Sequence, residues 1–176
     1  MSETGSPASE SIDALLIHAA RLNAQIRQAY STVKDDQNAR YYCYALLLNH
    51  GKVYIGSTDN IYERMLAHHT MTSTASNFVK LHGPPLRILE ISRNARLDHE
   101  TYKTLVYMDL YGYDNVRGGV YCKSDLKSAP GALDIFVRDR DDEFEYLTRR
   151  EIETVVRVVA ELARSEGSAI VDREKY

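Results

Sequence analysis

Two apolar runs stand almost end to end, residues 40–49 (RYYCYALLLN) and 52–57 (KVYIGS), with only His50-Gly51 between them. Both are rich in the aromatic and aliphatic residues that suit a pleated, half-buried surface, and so short a connection folds the second run back on the first as a β-hairpin. Thr58-Asp59-Asn60 offers capping side chains, and Asn60 with Glu63 has capping-box spacing, so a helix is predicted over 61–69. One more helical turn at 76–81 is broken by Gly83-Pro84-Pro85. Residues 86–91 (LRILEI) read as a third strand, and 97–111 as a helix with Gly112 suited to its C-terminal cap.

The flanks read as helical additions. Ile12, Leu15, Ala19, Leu22, Ile26, Ala29 and Val33 alternate steps of three and four, the stripe of an amphipathic helix. It packs on the domain's own core or, as the alternative, makes a coiled-coil-like homodimer contact through the terminal helices. Gly118-Gly119 is a tight turn, 123–131 is loop-like and 133–137 suits a short strand. Residues 144–164 suit a helix with Ile152, Val155, Val156, Val159 and Leu162 on one face. The chain therefore divides into a disordered tail and amphipathic helix at 1–39, a core at 40–123, and a loop with a helix packing on that core at 124–176. The expected class is α+β, a small three-stranded antiparallel sheet flanked by helices, with added N- and C-terminal helices.

A length of 176 residues, 44% of them hydrophobic, suits one core. No apolar run approaches the roughly 20 residues that span a bilayer, and the first residues lack a secretory pattern, so the expectation is a cytoplasmic protein with no membrane partner. Two distant cysteines, Cys43 and Cys122, exclude a four-thiolate zinc site. The net charge of −3 argues against indiscriminate binding to nucleic acid, but the charge is uneven. Residues 40–123 hold ten Lys and Arg against seven Asp and Glu, with five of the six histidines; the flanks hold twelve against eighteen. A basic, histidine-rich centre can hold a phosphate backbone locally.

Cutting a phosphodiester requires an oriented water, neutralised phosphate charge and a stabilised leaving oxygen, usually with a divalent metal. Arg64 and His68 share one face of the predicted helix, and a guanidinium forks onto phosphate oxygens while an imidazole exchanges protons near neutrality. Glu100 lies in the first turn of its helix, where the dipole favours a carboxylate, itself a natural ligand for a hard cation. Tyr44 and Tyr54 sit on paired strands. By themselves these residues also fit a solvated helix face and strand packing, and composition and spacing stop at an α/β domain with a basic cleft.

The paired motifs take the reading further. Tyr42-Cys43-Tyr44, nine residues, then Tyr54-Ile55-Gly56, followed by the run from Ser57 to His68, resembles the signature of the GIY-YIG nuclease family, with Arg64 ten residues after Tyr54 and His68 four later. The first motif departs from the family name, having Tyr42-Cys43 where it has Gly-Ile. The resemblance implies a metal-dependent DNA endonuclease using one Mg2+ or Mn2+ held by Glu100. It implies that Tyr44 activates or positions the attacking water with Tyr54 in support, that Arg64 binds the scissile phosphate, and that His68 assists proton transfer or orients a tyrosine. His69 beside His68 leaves open which imidazole serves. Asn115 matches an asparagine that braces the site. Lys80 and His82, in the connecting segment, are candidate phosphate contacts, and Asp98 is an alternative carboxylate. No separate DNA-reading module is evident, so the expected enzyme is small and stand-alone, of restriction, structure-selective or single-strand-selective type. The alternative is a nucleic-acid-binding or oligomerisation protein on the same core that does not cut.

Overall fold

The computed structural model describes residues 41–165 and the single residue Ile17. The expected N-terminal tail and helix, and the dimer contact assigned to that helix, lie outside the described residues. Strand β1 (Tyr41–Leu47) and strand β2 (Val53–Thr58) form the hairpin, with Tyr44 opposite Gly56 and Leu46 opposite Tyr54. The chain reverses at His50 and Gly51, both in left-handed backbone at φ 60° and 68°. Strand β3 (Arg87–Ala95) runs antiparallel on the other side of β1.

The sheet has five strands where three were expected, in the order β4-β2-β1-β3-β5. Strand β4 (Val116–Arg117) lies parallel to β2, and strand β5 (Glu145–Tyr146) lies antiparallel to β3. Two-residue strands are too short to show alternation, which is why the sequence does not betray them.

Alternation along β2 divides the molecule into two layers. On one face Tyr44, Leu46 and Tyr54 join the larger core cluster, with Ile61 and Met65 of helix α1 (Ile61–Thr70), Phe78 of helix α2 (Asn77–His82) and the buried side of helix α4 (Arg149–Ser165). On the other face Cys43, Ala45, Val53 and Ile55 meet Tyr107 and Met108 of helix α3 (Leu97–Tyr111). Asn60 caps α1 as its spacing implies: its side chain accepts from the Glu63 N–H at 3.2 Å and donates to the Glu63 carboxylate. No helix of the described residues is long and apolar enough to cross a membrane.

Two expected elements differ. Residues 133–137 do not form a strand; a 3-10 turn occupies Gly131–Ile135. The last helix begins at Arg149, not at 144, because Thr148 and Glu151 form a capping box. The Thr148 hydroxyl accepts from the Glu151 N–H at 3.2 Å, and the Glu151 carboxylate accepts from the Thr148 N–H at 2.7 Å. The apolar face of α4 is also turned: Val155, Val158, Val159 and Ala163 are buried, whereas Val156 is 46% exposed.

Strand β5 is pinned by a buried cation. Lys103 of α3 lies 3.1 Å from the Glu90 carboxylate, donates to the Tyr146 hydroxyl, and sits 4.4 Å from the centre of the Phe144 ring. Removing one partner of such a pair leaves an uncompensated charge. Glu90→Gln should lower unfolding free energy by about 2 kcal/mol, below the range for fully buried pairs because Glu90 keeps some exposure. Urea unfolding checks this, and Lys103→Met should cost less than Glu90→Gln.

Candidate active site

Tyr44 points across the hairpin at its partner strand. A Cβ on Gly56 would fall on the Tyr44 hydroxyl and 2.5 Å from Cζ, so only glycine lets the ring cross β2. The crossing carries the hydroxyl to α1. There the Arg64 Nε donates to Tyr44 Oη at 3.1 Å, and Oη lies 2.9 Å from His68 Nε2. The Tyr44, Tyr54 and His68 rings meet with centroids 5.5 to 6.2 Å apart. Arg64 is held further by the carbonyl of Thr74, which accepts from Nη1 at 2.5 Å. Four of the five expected catalytic residues thus form one cluster on one sheet face.

Burial sorts the cluster. Tyr44 is 1% exposed, His68 0% and Tyr54 8%, whereas Arg64 is only half-buried. Burial raises the Tyr44 phenol well above its usual range; Tyr54 adds to this, and Arg64 opposes it. Tyr54 is raised by burial too, with Arg64 lowering it and Glu100 raising it. Burial, aided by the charge of Arg64, pushes His68 down to about 3. At neutral pH the cluster therefore holds two protonated phenols, a neutral imidazole and one cation. His68 Nδ1 is buried without a partner. His69 points elsewhere, with Nδ1 2.7 Å from the Met65 carbonyl.

Glu100 approaches from the other face. Ser57 follows Gly56 and alternates toward α3, and its hydroxyl donates to Glu100 Oε2. The Gly119 N–H donates to Oε1 at 2.9 Å, just beyond the end of β4. Because β4 pairs only with Val53 and Tyr54, the carboxylate reaches the open edge of β2 beside Gly56. It makes no hydrogen bond to the tyrosines, but its charge is felt by both. Ser57, Gly119 and Thr74 are site residues that sequence reasoning missed. Only Ser57 left a signal, since its position after the motif and the period of two place it on the α3 face.

The remaining candidates lie apart from the cluster. Lys80 donates to the Ser73 carbonyl at 2.8 Å, bracing the loop that also holds Arg64. The His82 ring packs on Phe78 at 4.5 Å; burial lowers its pKa, as do the nearby charges of Lys52, His50 and Arg117. Asn115 donates to the Tyr111 carbonyl at 2.8 Å and accepts from Lys52 at 3.0 Å, tying the end of α3 to the start of β2. Asp98 is exposed and paired with Arg140 and Arg96.

Residues 40–94 match the family model described as the GIY-YIG catalytic domain. The match covers Tyr44, Tyr54, Arg64 and His68 and ends in β3, before Glu100. Neither curated proteins nor solved structures yielded a match.

Two outcomes test this geometry. Gly56→Ala should destabilise the fold by about 1–3 kcal/mol through overpacking, and should release Arg64 by displacing Tyr44, seen as loss of both stability and cleavage. The second concerns pH. A folded imidazole titrating at about 3, against 6.5 when free, means the unfolded chain binds more protons between those values. The stability contributed by neutral His68 is complete above pH 6.5 and is lost as pH falls toward 3. His68→Gln should remove up to about 1.4 kcal/mol per pH unit of that slope, measured by urea unfolding from pH 7 to 4.

Proposed function

From the premise that this chain belongs, through residues 40–94, to the GIY-YIG family of nucleases, we propose that it is a metal-dependent DNA endonuclease. The observation that carries the reading is Arg64, fixed by Tyr44 and Thr74 yet still open to solvent, with Glu100 held at the adjacent edge of β2. Hydrolysis adds water to phosphorus, breaks the P–O bond to the departing sugar oxygen and returns a proton to that oxygen. The half-buried guanidinium meets the phosphate oxygens, where charge grows in the transition state, and its pre-set orientation avoids reorganisation during reaction.

The donor set at Glu100 fits magnesium or manganese. Each carboxylate oxygen accepts one hydrogen bond and keeps a further lone pair. No cluster of three His, Cys, Asp or Glu occurs among the described residues. That excludes a zinc-type cage there and suits a hard cation that takes one protein carboxylate, substrate oxygens and waters. Such an ion supplies charge neutralisation at the scissile phosphate.

The tyrosines divide the remaining work. The Tyr44 hydroxyl is engaged by Arg64 and His68, and burial drives the phenol and the imidazole in opposite pKa directions, so proton transfer between them is uphill. Tyr44 and His68 therefore orient Arg64. Tyr54, the less buried of the two phenols, orients the attacking water. This exchanges the parts that the resemblance implies for the two tyrosines.

Glu100→Gln should abolish Mg2+-dependent cleavage while leaving the melting temperature nearly unchanged; normal cutting by that variant would refute the metal assignment. Arg64→Ala should cost about 3 kcal/mol of transition-state stabilisation, roughly a hundredfold in rate. Single-turnover cleavage of single-stranded, duplex and branched DNA measures both effects and the strand preference.

A further inference from the structure

A groove of about 1120 Å³ lies between β3 and the first half of α4, outside the site described above. Its wall is the outer side of β3 from Arg87 to Glu90, which no described strand covers, since β5 pairs only with Ser92 and Arg93. Four arginines line it, Arg87 from β3 and Arg149, Arg150 and Arg157 from α4. Its two carboxylates are already matched, Glu90 by Lys103 and Glu153 by Arg149. Arg87, Arg150 and Arg157 are exposed, with no ion pair among the described residues. Arg150 and Arg157 stand two helical turns apart on one side of α4, about 10 Å along its axis. Exposed Tyr146 and Val156 lie among them.

This leaves concentrated positive charge on a chain whose net charge is −3. The N-terminal segment is a poor complement: between Asp13 and Asp35 it carries Arg21, Arg27 and Lys34 and no carboxylate. A second copy placed symmetrically would set arginine against arginine. A row of phosphates is complementary, and guanidinium forks are the side chains best shaped for phosphate oxygens.

We propose that the β3–α4 groove binds the phosphate backbone of a nucleic-acid strand through Arg87, Arg150 and Arg157, as a second contact surface for the substrate. This rests on the nuclease reading for its choice of polyanion. It gives the chain a means to hold a long substrate while Arg64 engages one phosphate.

The test is binding of labelled single-stranded and duplex oligonucleotides to the full chain in EDTA over a salt series, for wild type and R87Q/R150Q/R157Q. The variant should bind at least tenfold more weakly at low salt. The slope of log K against log salt should become shallower by about 2, since each phosphate contact contributes roughly 0.7 to 0.9. Unchanged affinity and slope would overturn the proposal. So would a variant whose DNA binding is unaltered but whose solution mass changes, pointing to a second copy, or whose melting temperature falls, pointing to the chain's own segment. Cleavage assayed separately with Mg2+ keeps the two readings apart. Binding that depends on the groove without cutting defeats the nuclease reading alone, and cutting with unaltered variant binding defeats the groove alone.

Discussion

Tyr44 crosses its neighbouring strand because Gly56 has no side chain, and the arrangement of the site follows from that contact. The crossing takes a polar group from one strand, over a second, to a helix that follows it in sequence. It sets the orientation of Arg64 through one hydrogen bond and of His68 through another. The hydroxyl is buried, so its partners are not optional: leaving a buried polar group unsatisfied costs about 1–3 kcal/mol. The contacts that stabilise the buried hydroxyl thus also fix the guanidinium, which arrives at the surface already oriented.

The second constraint is the open edge of β2. Because β4 is only two residues long, the strand beyond Tyr54 is free for α3 to present Glu100 beside it, held by Ser57 from the strand and by the Gly119 N–H from the turn. Acid and cation therefore come from opposite faces of one sheet. The carboxylate and Arg64 both act on the Tyr44 and Tyr54 phenols without pairing with each other. The arginine groove along β3 and α4 depends on a similar shortness, that of β5, which leaves the outer side of β3 uncovered.

The hairpin, α1 and α3 were legible because each carries a local signal: the His50-Gly51 turn, the Asn60–Glu63 cap, and Gly112, whose N–H bonds back to Met108 at 2.8 Å. The pairing of Arg64 and His68 follows from helical spacing. Contacts that join elements distant in the chain left no such trace. The Lys103–Glu90 pair, the Thr74 carbonyl under Arg64 and the Gly119 N–H on Glu100 are set by tertiary packing. The start of α4 is different, because the Thr148–Glu151 capping box was present in the sequence, and the apolar residues Phe144 and Leu147 before it extended the helical pattern too far.

The central claim is that Glu100 anchors a divalent ion at the edge of β2 beside Arg64. Paramagnetic broadening by Mn2+ reports that location directly through backbone amide resonances of the full-length protein. The amides of Gly56, Ser57 and Gly119 should broaden first, with those of β5 and α4 unaffected, and Glu100→Gln should abolish the effect. Broadening centred instead on Asp98 and Glu143, or unaltered by the substitution at Glu100, would contradict the account.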